Sequence, residues 1–481
     1  MLAEPEAMPS PRTAAKRARA EEDSRLVQQP LSFEIGERPG RQAGHGGGAS
    51  WVHVMGHSVT AVVGVGILGL PYAFSCLGWA GGLVVLAVAT VASLYTSYLL
   101  AAMHEDKDGR RHNRYEELGK AVLGEKWGFW AVATTQFVLL VGLMVTYMVT
   151  AGQSLQAASN PDCNDHTMQA AGDAGSIAAA GEPDAGTVGC RSHLAAWIAV
   201  FAVVQLGLSQ IPKFENLWWI SLLGATMSAC YATIAFAASV LHEEPDTGVS
   251  YDIRPGSTAD QAFGALNALG TIMFAFGGHA ILLEIQATLP SPPSTLRPMM
   301  FGLLTAYGVI IVAYFPVACA GYARFGNSVN PDVLLSVSHP AWLIKMANIM
   351  VCVHIGAAYQ VFAQPVFKIL EDWVKQKFGR AADKLIAMRV ILRSSAVVIT
   401  ALVAMVLPFF SDLMGLIGAV AFTPITFVLP PLFWLKVKQP SGAERMLLFA
   451  IITFFGLAGA FAAIGATRQL AIHASEYSWF I

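Results

Sequence analysis

The chain is 481 residues long, 55% hydrophobic and 13% charged, with a mean hydropathy of +0.53. A soluble domain carries roughly 25% charged residues, so the composition excludes an ordinary soluble protein and calls for a polytopic membrane protein with the lipid bilayer as its solvent. A net charge of −2 gives no ground for a nucleic-acid partner.

Residues 1–50 are rich in Pro, Gly, Ala, Arg and Glu and have little apolar clustering. They cannot offset the entropy of ordering, so they are predicted to be a disordered cytoplasmic tail. The tail lacks the apolar core of a signal peptide, and Glu4 and Glu6 argue against an organelle transit peptide. Lys16-Arg17-Ala18-Arg19 reads as a solvated basic run.

The first apolar run, residues 51–77, is long enough to cross a membrane but carries Gly64, Gly66, Gly69 and Pro71 in its second half. These residues weaken a helix. Broken backbone at membrane depth is tolerated only where protein or a watery cavity receives the freed N–H and C=O groups, so this stretch is a candidate binding site. Gly64-Val-Gly66-Ile-Leu-Gly69 also spells the dinucleotide fingerprint. That motif needs a preceding strand in a soluble unit, and none is present here.

Further apolar runs follow at 80–103, 127–154, 193–211, 217–241, 261–285, 299–323, 341–370, 386–408, 412–435 and 444–467, eleven in all. Most are near the roughly 20 residues that span a bilayer. With the N-terminus cytoplasmic, 25 of the 30 Lys and Arg residues fall on the cytoplasmic side, as the positive-inside rule requires. The expected organisation is a tail over 1–50, a transmembrane domain of eleven helices over 51–470, and a short extracytoplasmic C-terminal tail over 471–481. Cys163 and Cys190 share one non-cytosolic loop, where either a disulfide or two free thiols are chemically permitted. No spacing of Cys and His fits a metal site, and no oligomeric state is indicated.

The sixth run, 261–285, contains Gly277-Gly278 followed directly by His279. Interrupted first and sixth helices point to a five-plus-five inverted repeat with a site at the membrane midplane, plus an eleventh helix. The alternative is that these glycines only allow close helix packing.

The strings HSVTAVVGVGILGLPYAFSCLGW, RHNRYEELGKAVLGEKWG, VTYMVTAGQSL and FAFGGHAILLEIQATLPSPP resemble the amino acid/auxin permease family, within it the plant lysine/histidine transporter branch. YFPVACAGYARFG, HIGAAYQVFAQPVF and AFTPITFVLPPLFWL extend the resemblance to about residue 470. It implies an all-α LeuT-like fold and secondary, usually proton-coupled, uptake of amino acids. In the resembling branch the position of Leu140 is commonly Glu, so a proton path through that position is not expected here.

An amino acid zwitterion needs N–H donors for its carboxylate and oxygen acceptors for its ammonium. The expected donors are the N–H groups from Val63 through Gly64, Val65 and Gly66 to Ile67. The expected acceptors are carbonyls of the first helix and of Phe274, Ala275 and Phe276 beside Gly277. Thr60 shares a helical face with His53, His57 and Gly64, and Tyr147 and Gln360 are further candidate substrate contacts. Ionisable groups inside spans are functional candidates by default. His279 at the break could meet the substrate or hold a proton, Glu284 is the favoured proton or gating group, and His57 and His354 are weaker candidates. The eighth run has no Ser or Thr between Cys352 and Val366, which favours protons over sodium as the coupling ion, with no other cofactor.

The expected function is proton-coupled symport of mainly neutral, or a broader range of, amino acids across the plasma membrane, with a vacuolar or other internal membrane as the alternative location. A carrier of auxin-type aromatic acids and a non-transporting amino acid sensor remain the alternatives. No GxSxG, P-loop or HExxH motif supports an enzyme.

Overall fold

In lipid an apolar segment has only its own backbone for hydrogen bonding, and each of the eleven runs forms helix for that reason. The computed structural model describes residues 49–476 apart from 107–108, 160–184, 212–217, 242–248, 253, 293, 338–339 and 379–385. The tail over residues 1–48, Cys163 and the side chain of Cys190 lie outside the described residues.

Span 1 is split into Trp51–Val62 and a 3₁₀ turn, Val65–Gly69, that runs on into the helix Leu70–Met103. That helix joins the second half of span 1 to span 2 and turns at Gly78, whose φ of 70° favours a residue without Cβ. Spans 3 to 5 are Glu125–Ser159, Ala185–Ser209 and Trp218–Leu241. Span 6 is interrupted: Thr258–Phe274, a 3₁₀ turn at Gly277–Ile281, then Leu282–Ala287. Spans 7, 8 and 9 are Leu296–Phe325, Ala341–Phe378 and Ile386–Val406. Span 10 starts at Phe410–Ile417, passes through wide π turns at Gly418–Phe422 and Pro424–Val428, and ends with Leu429–Lys438. Span 11 is Gly442–Glu476, so residues 471–476 continue a helix where a tail was expected.

Among the described residues nine helices are long and apolar enough to cross a membrane, one of them merging the end of span 1 with span 2. The first half of span 1 and the shorter span 4 complete the eleven. The chain is a multi-pass membrane protein. Val91, Val312, Leu457 and Ile464 are exposed on its outer surface, where lipid replaces water as the neighbour.

Spans 1 and 6 lie at the centre. Span 7 packs along spans 1 and 2, span 8 along spans 3 and 5, and span 6 against spans 2, 10 and 11. At the end of the bundle richest in Lys and Arg, a short helix, Tyr115–Leu123, packs against spans 3 and 10. The Tyr115 hydroxyl donates to Ile425 O at 2.8 Å. A Cβ on Gly119 would lie 2.7 Å from Gly128 O, so the helix approaches span 3 backbone to backbone.

Candidate functional site

The break in span 1 is a redirection of specific hydrogen bonds. Val63 leaves the helix with ψ of 89°, and the Gly64 N–H donates to Val62 O at 3.0 Å. A continuing helix would have given that N–H to Thr60 O, whose carbonyl therefore loses its donor. The new turn begins at Val65, leaving the Val65 and Gly66 N–H groups at a helix start without intrahelical partners. Span 6 repeats the device: the Gly278 N–H goes to Phe276 O at 3.1 Å instead of to Phe274 O.

The two breaks cross each other. A Cβ on Gly66 would sit 3.0 Å from Ala275 Cα, and one on Gly278 would sit 2.6 Å from Val62 Cγ2. The missing side chain of Gly66 lets the two backbones touch, and that of Gly278 makes room for the Val62 side chain. Above the crossing, the Tyr314 hydroxyl of span 7 lies 2.7 Å from both Val62 O and Ala275 O. One hydroxyl has one hydrogen, so it is shared between the carbonyls of the two broken helices.

Beside the crossing lies a cavity of about 150 Å³ walled by spans 1, 3, 5, 6, 8 and 10. At about 10–15 Å³ of this volume per water-sized group, it has room for roughly ten such groups, the size of a small zwitterion with its side chain. His57 lines it and is exposed, so the mouth opens along the first half of span 1. The walls are mostly apolar, including Leu143, Ile281, Val361, Phe362 and Phe422. Phe274 and Phe422 meet edge to face with centroids 5.0 Å apart, and Tyr147 and Phe362 meet at 6.0 Å.

Few polar groups reach this space. Thr60 uses its hydrogen on Gly56 O at 2.9 Å, so its oxygen is left as an acceptor. The Tyr147 hydroxyl has no hydrogen-bond partner among the described residues, and Tyr147 lines the cavity. His354 is buried with Nδ1 2.9 Å from Gly224 O. A carbonyl only accepts, so Nδ1 carries the hydrogen and the neutral ring has a bare Nε2. A Cβ on Gly64 would be 3.8 Å from that Nε2, which places the imidazole opposite the first break.

A fold with crossed interruptions in spans 1 and 6 can be compared with known proteins. A family model described as transmembrane amino acid transporter protein matches residues 47–469. Lysine histidine transporter-like 6 of Arabidopsis thaliana is 38% identical over 440 residues, covering 90% of this chain and 93% of its own. The chain belongs to the amino acid/auxin permease family, in its lysine/histidine transporter branch. Amino acid permease 6 of the same plant, a more distant relative, is 33% identical over 413 residues, with 79% of this chain and 81% of its own covered. The crystal structure of MhsT in complex with L-phenylalanine superposes with a TM-score of 0.51 at 16% identity, covering 88% of this chain and all of that one. That likeness gives this family member a LeuT-like fold.

Of the residues singled out from the sequence, Thr60, Gly64, Val65 and Gly66 line the cavity on span 1. Tyr147, Phe274, Gly277, His57 and His354 join them from other positions. The rest are turned elsewhere. Val63 and Ile67 are buried in the core, and Ala275 packs under Gly66. Phe276 stacks on Tyr314 with centroids 5.6 Å apart. Gln360 points at span 4, its Nε2 2.6 Å from Gln205 Oε1.

His279 is also away from the cavity, against the expectation that its place beside Gly277-Gly278 would put it there. The 3₁₀ turn rotates it onto span 2, where Nε2 lies 2.9 Å from Thr96 Oγ1 and 3.1 Å from Ser97 Oγ. Glu284 sits three residues, nearly one helical turn, beyond the wall residue Ile281, outside the cavity lining, with Oε2 buried and without a hydrogen-bond partner among the described residues. Tyr314, Gly224 and Phe422 carry parts of the site that the sequence reading did not single out. They lie in spans with no break at their position, and a YFP or AFTP string gives no sign of which way a ring faces.

Proposed function

We propose that this amino acid transporter works as a proton symporter for amino acids with neutral side chains. The observation that carries the reading is the bare Nε2 of His354 opposite Gly64. A neutral ring offers a lone pair there and repels a carboxylate, whereas a protonated ring offers an N–H. The substrate carboxylate would be received by the Val65 and Gly66 N–H groups together with the His354 imidazolium, so proton and substrate bind in one event. The ammonium would be met by the Thr60 and Phe274 carbonyls that lost their donors.

Among the described residues no Asp or Glu lines the cavity, which favours neutral side chains over the cationic ones named for the relatives. The charge asymmetry supports a cytoplasmic N-terminus. The mouth beside His57 would then face the cytoplasm, as in a carrier about to release its load. Plasma membrane is the proposed location.

Uptake into proteoliposomes with an imposed pH gradient tests this. Accumulation of neutral amino acids that disappears when the gradient is collapsed is the expected result. Uptake indifferent to the gradient would overturn the coupling, flux of an auxin alone would overturn the substrate class, and binding without flux would point to a sensor.

A further inference from the structure

We propose that Phe422 is a specificity-determining residue that sets the largest side chain the cavity accepts, admitting aliphatic side chains up to the size of leucine and turning away aromatic ones. The proposal rests on the reading of this cavity as the amino acid site, to which it adds a size limit and the residue that imposes it.

The shape of span 10 aims Phe422. Pro424 has no N–H with which to continue an α-helix, and just before it the chain widens into the π turn Gly418–Phe422. The Thr423 N–H reaches back five residues to Gly418 O, and the Thr423 hydroxyl donates to the same carbonyl at 2.8 Å. A π turn sends its side chains out at a different angle from an α-helix, and here Phe422 ends on the wall of the cavity.

The span is then fixed in place on three sides. A Cβ on Gly418 would overlap Gly270 O of span 6, and one on Gly142 of span 3 would overlap the Ile417 side chain. A Cβ on Gly459 of span 11 would lie 2.8 Å from Thr423 Cγ2. With its backbone held this closely, span 10 has little freedom to carry Phe422 away from a bulky ligand. The ring itself occupies the place that a Cβ on Gly277 would take, directly against the second break.

The division of the cavity gives this ring its part. The Val65 and Gly66 N–H groups and Nε2 of His354 serve the zwitterion, which leaves Leu143, Phe274 and Phe422 for its side chain. Of the roughly ten water-sized groups that the space can hold at about 10–15 Å³ each, the nitrogen, α-carbon and carboxylate take about half. The remainder suits a side chain of leucine size and falls short of a benzyl or an indolylmethyl group. Phe274 belongs to the break itself, and Phe362 is braced by Tyr147 with centroids 6.0 Å apart. Phe422 is the ring that can be trimmed without altering the backbone of either break.

Equilibrium binding of alanine, leucine, phenylalanine and tryptophan to the purified full-length protein tests this without a gradient. A single methylene in an apolar pocket discriminates by about 10- to 200-fold, so wild type should favour leucine over phenylalanine by roughly 100-fold. Phe422→Ala should lower that ratio by at least about tenfold, and Phe422→Leu should fall between. A merely structural role would weaken every ligand by the same factor and leave the ratio unchanged. Gly277→Ala approaches the ring from the other side: the added methyl pushes it toward the cavity, and leucine binding should suffer more than alanine binding. Combining that change with Phe422→Ala should relieve the difference. An unchanged leucine-to-phenylalanine ratio in the Phe422 variants, wild type that binds phenylalanine as well as leucine, or a Gly277→Ala defect that the double variant retains would overturn the role of Phe422. Wild type that binds none of the four amino acids would sink the reading of the cavity as the amino acid site, and this inference with it.

Discussion

His354 and His279 are both imidazoles sealed in the middle of the bundle, and their neighbours give them opposite chemistry. Thr96 and Ser97 both stand at Nε2 of His279, and the same patch of span 2 holds Ser93, whose hydroxyl is 2.6 Å from that of Tyr307. This is a closed polar cluster that ties span 6 to spans 2 and 7. His354 has one nitrogen tied to Gly224 and the other facing the first break. The first ring is used up by the scaffold, whereas the second keeps a site for a proton or a carboxylate. Closeness to a break in sequence is thus a poor guide to closeness in space, because a 3₁₀ turn changes the angle at which successive side chains leave the axis.

The largest effect that would sharpen this contrast is expected from His354→Gln. The variant keeps a polar side chain but cannot become a cation. A hydrogen bond to a charged group is worth about 1.5–3 kcal/mol, so substrate affinity in mild acid should fall roughly 10- to 100-fold. In alkali the wild-type ring is neutral as well, and the two proteins should bind alike. Equilibrium binding across pH measures both limits, and a loss that is the same at every pH would mean that His354 acts only by packing.

His279→Ala should separate the two rings from the other side. It removes the ring from the Thr96 and Ser97 hydroxyls, which keep Ser93 O and the Tyr307 hydroxyl as partners, so the lost hydrogen bond is worth about 1 kcal/mol and the emptied space adds to it, seen as a lower unfolding temperature of the purified protein. The pH profile of substrate binding should stay where it is. Movement of that profile would show that the proton site extends to span 2 and would break the contrast.

Much of the architecture was legible because hydropathy and glycine placement are properties of the backbone. The eleven apolar runs all became helix, and the interruptions fall at Val63–Gly64 and at Ala275–Gly277, where the glycines announced them. The sequence is silent where the answer depends on the direction of a side chain. Phe276, His279 and Gln360 were placed in the site by position, and each is rotated onto a neighbouring span. Gly224 and Phe422 come from spans 5 and 10, whose contribution depends on tertiary packing that no periodicity encodes. Glu284 drew notice as an ionisable group inside a span, whereas Glu116 looked like one charge among many in a solvated loop and is buried.

Tyr314→Phe should give the smallest effect and probes what the two broken helices share. The hydroxyl stands 2.7 Å from Val62 O and from Ala275 O, so its removal frees both carbonyls and unties the crossing. The lost tie is worth about 1 kcal/mol net, or roughly a fivefold weaker substrate affinity if the breaks must be held in register for binding. The freed carbonyls act in the opposite direction, since each adds an acceptor that an ammonium could use. Binding measured with an amino acid and with its analogue lacking the ammonium separates the two contributions. A loss for both ligands means that Tyr314 positions the breaks, whereas a gain confined to the amino acid means that the hydroxyl competes with the ammonium for the same oxygens. In either case the pH profile should follow wild type, because Tyr314 does not touch His354, and a shifted profile would place the proton at the crossing itself.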